Sequence, residues 1–427
     1  MRILLPSVSA VALAGPALVS PALAQGVILS DDFETNSSAD YTLVDDGSPD
    51  GSQTFAFDYV AAGIPLAPRS APGDAGGLKL TVNDTAGSSD AWTVYNNTPV
   101  AAERYKLTVD VWMNFVGTSG TTEYAQVGVA GDGVSSNSIL SPVSGSGAYL
   151  AFTGDGGSVT DYSWFRDCNN ASPTDPECNT MPSSHPSYLG HGTNASESFF
   201  QTLFPAPPST YAGSPGNIWT TLEIEVDNFA GVISFSFDGQ LTYQGDFTGS
   251  FDGLVSLGLF DRFSSLSGPT NFAIYDNLEV ETLLTPIGMS YCTAAVNSTG
   301  VSGEISALGS DIAADNNVVL TSSSLPQNAF GFFLAGQTQG FTQTPGGSSG
   351  NLCLGGAIGR YVGPGQIQNS GSSGEFSLSL DLTATPQPTG FVTVQAGETW
   401  NFTCWHRDAF AGSTTSNFTD GLEIQFQ

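Results

Sequence analysis

The feature that most constrains this chain is the short period of its apolar residues. In Lys106-Leu107-Thr108-Val109-Asp110-Val111 every second side chain is apolar, so Leu107, Val109 and Val111 share one face. That is the period of a half-buried β-strand. Comparable runs are expected to form strands over residues 54–57, 77–82, 105–115, 124–129, 220–226, 232–237, 254–260 and 272–280. Asp238-Gly239 separates Ile233–Phe237 from Leu241–Tyr243, the turn chemistry of a two-residue hairpin. No stretch keeps a helical period. The 51 Gly and 24 Pro punctuate strands rather than helices. The reading is all-β: a jelly-roll sandwich followed by a second, smaller β-sandwich.

A chain of 427 residues is too long for one ordinary domain. The first unit is read as residues 27–282 and the second as 291–427, with 283–290 as linker. Strands in the second unit are expected over 317–321, 330–334, 375–382, 400–407 and 422–426. One segment, 161–216, is rich in Pro, Ser and Asn with scattered aromatics. A loop of that length is either functional or poorly ordered.

Residues 1–24 read as a signal peptide. Arg2 precedes an apolar stretch that closes on Ala22-Leu23-Ala24, leaving Gln25 as the first mature residue. Pro6, Pro16 and Pro21 interrupt it, which suits a cleaved signal better than a retained anchor, the alternative. The expected location is therefore secreted, extracellular or at a bacterial cell surface, with no membrane insertion of the mature chain. The formal net charge is −31, with lysine only at Lys79 and Lys106. Such a field excludes nucleic acid as a partner.

Five cysteines in an exported chain are read as disulfides before metal ligands. Cys168 and Cys178 close a short loop and are expected to pair. Of Cys292, Cys353 and Cys404 one must be left over. Strand alternation puts Cys404 on the face of Trp400 and Phe402, so the expected bridge is Cys292–Cys353 and Cys404 is a buried thiol.

Three stretches carry a resemblance. They are Asp31-Asp32-Phe33-Glu34, then Ile218–Val226 followed by Phe237-Asp238-Gly239, and Ile274-Tyr275-Asp276-Asn277-Leu278-Glu279-Val280. Their order resembles exported bacterial concanavalin A-like proteins of the laminin G-like and lectin/glucanase type, whose first and last strands pair. The similarity spans most of residues 27–282. Tyr291-Cys292-Thr293, Leu352-Cys353-Leu354-Gly355-Gly356 and Thr399-Trp400-Asn401-Phe402 look like a C-terminal module of secreted planctomycete-type proteins that has no assigned activity.

Candidate chemistry follows. Glu223, Glu225 and Asp227 stand at i, i+2 and i+4 of one strand, so the three carboxylates share a face. A retaining glycosidase needs two carboxyls about 5 Å apart. Jelly-roll glucanases of glycoside hydrolase family 16 resemble this in carrying Glu-x-Asp-x-Glu, whereas the order here is Glu-x-Glu-x-Asp. The plainer reading is that Leu222, Ile224 and Val226 face the core while the acids face water. The resemblance also implies a structural calcium where first and last strands meet, held by Asp32, Glu34 and Asp276. Calcium takes six to eight hard oxygens, which carboxylates and carbonyls of paired termini can supply. Tyr162, Trp164, Arg166 and Tyr188 are the candidate ligand-binding residues, since pyranose rings stack on flat side chains. The alternative is that these aromatics form the long segment's own small core. Cys168, Cys178, His185 and His191 lack the paired spacings of a zinc site.

The sequence thus points to a non-catalytic binding or surface protein, its partner a carbohydrate or an extracellular-matrix component. A glycoside hydrolase using Glu223, Glu225 or Asp227 is the alternative, and a purely structural envelope component the second.

Overall fold

The computed structural model describes residues 24–47, 50–85, 89–116, 122–138, 145–157, 160–166, 185–247, 249–261, 270–410 and 412–427. Cys168, Cys178 and the segment read as a signal peptide up to residue 23 lie outside them.

Two antiparallel sheets form the first body. Along the larger sheet the strands run Gln240–Asp246, Val232–Phe237, Trp219–Asp227, Arg104–Asn114, Phe272–Leu283, Leu78–Thr81 and Ser52–Thr54, and Ala24–Asp31 also pairs with Phe272–Leu283. The smaller sheet runs Tyr41–Asp45, Asp90–Asn96, Leu254–Asp261, Glu123–Gly131, Ala148–Phe152 and Tyr162–Arg166. Alternation decides which side chains enter the core. Leu107, Val109, Val111, Leu222, Ile224 and Val226 from one sheet meet Val94, Val127, Leu150 and Leu257 from the other, all buried. The architecture is a jelly-roll-type sandwich, with the first and last strands paired. Asp238 and Gly239 turn the hairpin with φ of 49° and 73°, the left-handed pair that matches strand twist.

Apart from the edge strand Tyr41–Asp45, the outer face of the smaller sheet is also buried, which explains why its strands do not alternate in polarity. Tyr124, Tyr149, Phe165 and Phe260 form a second cluster there. Residues 135–137 lie across it: Asn137 N donates to Thr93 Oγ1 at 2.9 Å, and Gln126 Nε2 donates to the Asn137 carbonyl at 3.0 Å.

Strands after Leu284 build separate sheets. Thr285–Ile287, Glu304–Gly309, Val318–Ser323 and Phe376–Leu380 form one. Met289–Tyr291, Gly421–Gln425, Thr399–Phe410, Phe330–Gly336 and Gly359–Arg360 form the spine of another. Their shared core holds Trp400, Phe402, Cys404, Phe333, Leu320 and Ile424. Cys292 and Cys353 form a disulfide. Cys404 is free and buried, and burial pushes its thiol up to about 12.

Three expectations need correction. Residues 283–290 are not a slack linker, because Thr285–Ile287 pairs with Glu304–Gly309 and Met289–Tyr291 pairs with Gly421–Gln425. Gly288, at φ 85°, turns the chain between these two pairings. The strand expected over 54–57 ends at Thr54, since Phe55 and Ala56 turn (φ 54° at Ala56) and Phe57 crosses to the outer face of the larger sheet. Finally, residues 185–216 close the sandwich where its edge strands Tyr162–Arg166 and Gln240–Asp246 come together. Phe200, on the short helix Ser198–Leu203, stacks on Tyr162 at 3.8 Å, and Tyr188 meets Tyr243 edge-on at 5.1 Å.

Candidate functional site

The strand Trp219–Asp227 alternates buried and half-buried along its whole length, with the three acids on the outward side. Antiparallel register sets their partners. Glu225 lies opposite Lys106 and Asp227 opposite Arg104, while Lys106 also faces Glu281 across the next ladder. Lys106 Nζ stands 3.0 Å from Glu281 and 3.7 Å from Glu223. Arg104 reaches Glu225 at 3.1 Å and Asp227 at 2.8 Å. Its remaining nitrogen donates to the Leu284 carbonyl at 2.5 Å. Burial pushes the Glu225 carboxyl up, while Arg104 and Lys106 pull it back. Two cations shared among four acids make a ladder across three neighbouring strands, with Arg104 and Lys106 on the middle one. A retaining pair would instead flank a substrate cleft, one carboxyl protonated and the other about 5 Å away as the nucleophile.

The expected calcium ligands do not converge. First and last strands do meet, with Asp31 opposite Leu278. Asp276 is 1% exposed, and its Oδ2 accepts from Tyr59 Oη and Ser70 Oγ, both at 2.8 Å. Burial raises its carboxyl to about 6. Glu34 Oε1 accepts from the Gly76 amide at 2.6 Å, and Asp32 Oδ1 from the Glu34 amide at 3.1 Å. A Cβ at position 76 would stand 2.4 Å from the Phe33 carbonyl oxygen, so glycine is needed for that approach. The positive charge at this junction is Arg69. Asn277, left-handed at φ 52°, sits in a break of register, and its carbonyl accepts from Arg69 Nη1 at 2.7 Å. These residues do not fit a calcium ion, and among the described residues no group of three His, Cys, Asp or Glu could hold a metal.

The aromatic platform is likewise corrected. Tyr162, Trp164 and Tyr188 are at most 1% exposed. Tyr162 Oη donates to the Gly213 carbonyl at 2.7 Å, and Trp164 packs edge-on to Phe235 at 5.9 Å. Arg166 donates to the Asp246 carbonyl at 2.6 Å, tying the two edge strands together. Their work is to close the sandwich.

What remains open at the strand junction is a polar cleft of about 330 Å³, walled by Ser30, Asp31, Asp32, Arg69, Asn277 and Glu279. Arg69 is partly exposed there, with Glu279 at 4.0 Å. Of the residues expected from sequence, only Asp32 lines it. Asp31 is engaged, accepting from Phe33 N, Ser37 Oγ and Tyr41 Oη at 2.6–2.9 Å. The Arg69 guanidinium can donate to a ligand hydroxyl and the Asp32 carboxylate can accept from one, while Asn277 spends both amide hydrogens on Ser70 Oγ and Asp110 Oδ2. Arg69 and Asn277 were not singled out in the sequence. The scarcity of basic residues was the usable signal, since only nine exist in the chain.

No protein-family model and no curated protein matches this chain. Among solved structures it is similar to a protein of unknown function with a galectin-like fold from Bacillus subtilis, at 9% identity and TM-score 0.34, over 61% of this chain and 98% of that one. The Emp46p carbohydrate recognition domain in its metal-free form is similar at 8% identity and TM-score 0.34, over 58% and 90%. The VIP36 exoplasmic/lumenal domain, solved with Ca²⁺ and mannose, is similar at 12% identity and TM-score 0.33, over 57% and 83%.

Proposed function

We propose that this chain is an exported, non-catalytic binding or surface protein whose first sandwich takes a glycan, with the cleft at the junction of first and last strands as the contact. The observation that carries the non-catalytic part is the ion-pair ladder: Glu223, Glu225 and Asp227 are each held by Lys106 or Arg104 on an outward sheet face. Hydroxyl recognition is supported by Arg69 and Asp32 beside a cleft of about 330 Å³, at the lower end of the size of small-ligand sites. Export is supported by the first 24 residues and by the Cys292–Cys353 bridge, a bond of oxidising compartments.

The test is titration of the intact chain with a panel of oligosaccharides, alongside an assay for release of reducing ends. Arg69→Ala should weaken binding roughly tenfold, the loss of one charge-assisted hydrogen bond. Hydrolysis by the wild type that disappears in Glu223→Gln would replace this reading with the glycosidase.

A further inference from the structure

We propose a second, independent saccharide site in the C-terminal body: a groove between Tyr291 and Phe341 that takes an uncharged sugar. The groove has a volume of about 600 Å³ and is lined by Tyr291, Cys292, Thr293, Gln339, Phe341 and Asn351, with Gly340 at its base.

Several unusual local features meet here. The ribbon Thr338–Gln343 with Asn351–Gly355 loses register between Gln339 and Thr342, so Gly340 and Phe341 together oppose Cys353. A bulge of this kind re-aims side chains. Gly340 allows it, because a Cβ there would stand 2.7 Å from the Leu354 carbonyl oxygen. Phe341 is left 58% exposed on a ribbon whose other exposed residues are Thr and Gln. Opposite, Cys292 is left-handed at φ 65°, a conformation costly for a residue with a side chain. The disulfide joins it to Cys353, the residue that faces the bulge. Tyr291 is fixed as well. Its hydroxyl donates to the Cys353 carbonyl at 2.9 Å, and its ring lies on Gly421, where a Cβ would fall 2.4 Å from it.

The walls between the two rings are polar and uncharged at Thr293, Gln339 and Asn351. Asn351 Nδ2 donates to the Thr293 carbonyl at 3.1 Å. Two flat side chains with amides and a hydroxyl between them suit a pyranose, which offers C–H faces to rings and hydroxyls to amides. Charge narrows the class. Glu423 accepts from Gln339 Nε2 at 2.6 Å, and Glu423 and Asp420 add to burial in raising the Tyr291 phenol. With a net charge of −31 behind them, uronic or sulfated sugars are disfavoured.

The experiment is calorimetric titration of the intact chain with neutral tetra- to hexasaccharides of glucose, mannose, xylose and galactose, with an oligogalacturonate as the charged control. The wild type should bind a neutral member and not the control. Phe341→Ala should lose roughly fivefold to tenfold in affinity at this site and Phe341→Trp should keep it, while Arg69→Ala leaves it unchanged. Wild-type affinity in Phe341→Ala, or binding lost in Arg69→Ala alone, overturns this site and leaves the first cleft standing. A wild type that binds no neutral member overturns this site, and one that binds neither a neutral member nor the charged control overturns the first cleft as well.

Discussion

The outer face of the larger sheet carries acids at both of its ends, and the two ends treat them oppositely. At one end Glu223, Glu225, Asp227 and Glu281 stay near water and are held by Lys106 and Arg104. At the other, Asp110 and Asp276 lie opposite each other in register and are at most 1% exposed, and among the described residues no basic side chain is bonded to either carboxylate. Hydroxyls and amides serve them instead. Tyr59 and Ser70 donate to Asp276, while Thr221, Asn277 and the Arg69 amide donate to Asp110. The difference is a cover. Residues 55–77 cross this end, with Tyr59, Ile64 and Ala67 packed on Trp112, Phe272 and Ile274. Covering the acids removes water from carboxylates that no cation compensates, and the Asp276 carboxyl rises to about 6. The residue types alike do not decide what the acids do; what lies over them does.

Breaking the cover should give the largest effect. Tyr59 is fully buried, meets Trp219 edge-on at 5.1 Å and donates to Asp276. Tyr59→Ala removes packing and donor together and should cost about 3–5 kcal/mol in urea unfolding. Tyr59→Phe keeps the ring and should cost about 1–2 kcal/mol. A Tyr59→Ala chain as stable as wild type would show that the cover does not hold this end together. At the open end, Arg104→Ala leaves Asp227 without its cation and Glu225 with Lys106 alone. Both are partly exposed, so the expected loss is about 1–2 kcal/mol, between the values for exposed and buried pairs. The loss should shrink in high salt, whereas that of Tyr59→Ala should not.

The covered carboxylate also makes a pH prediction. Asp276 titrates near 6 in the folded chain because burial disfavours its charge, against about 4 when unfolded. Between those values the folded state holds the extra proton. The stabilisation is therefore full below pH 4, is lost as pH rises to 6, and changes no further above that. Asp276→Asn keeps an acceptor and should flatten this fall. It should not abolish it, because Asp90, in the other sheet, is also raised to about 6 by burial. Unfolding midpoints measured from pH 4 to 7 test this, and an unchanged slope in the variant removes Asp276 from the account.

Much of the fold was readable because neighbours in sequence settle it. The alternation of Lys106–Val111, the Asp238-Gly239 turn and the shared face of Trp400, Phe402 and Cys404 each follow from a few adjacent residues. The strands Ala148–Phe152 and Tyr162–Arg166 were not readable, because every residue in them is buried and no polarity alternates. The helix Ser198–Leu203 is too short to show a period. The site depended on longer reach. Tyr59 meets Asp276 across 217 residues and Arg69 meets Asn277 across 208, distances that no local pattern encodes. The acids of Trp219–Asp227 showed their spacing in the sequence, but their cations come from a strand more than one hundred residues earlier.

The smallest expected effect is the most discriminating one. Glu223 stands 3.7 Å from Lys106, which has a closer partner in Glu281 at 3.0 Å, and it is partly exposed. Glu223→Gln removes the weaker arm of a shared pair and should change stability by about 0.5 kcal/mol or less. Loss of Glu281 should matter more, since Lys106 is held above its ordinary lysine range chiefly through Glu281 once burial is opposed. If the row is a register device, the ranking Glu281→Gln above Glu223→Gln follows in stability, and neither variant alters sugar binding. If the row is a catalytic centre, the ranking reverses in activity while stability barely moves. Unfolding and reducing-end assays on the two variants therefore separate the readings, and a Glu223→Gln effect confined to hydrolysis would make the open end, rather than the covered one, the functional end of this sheet.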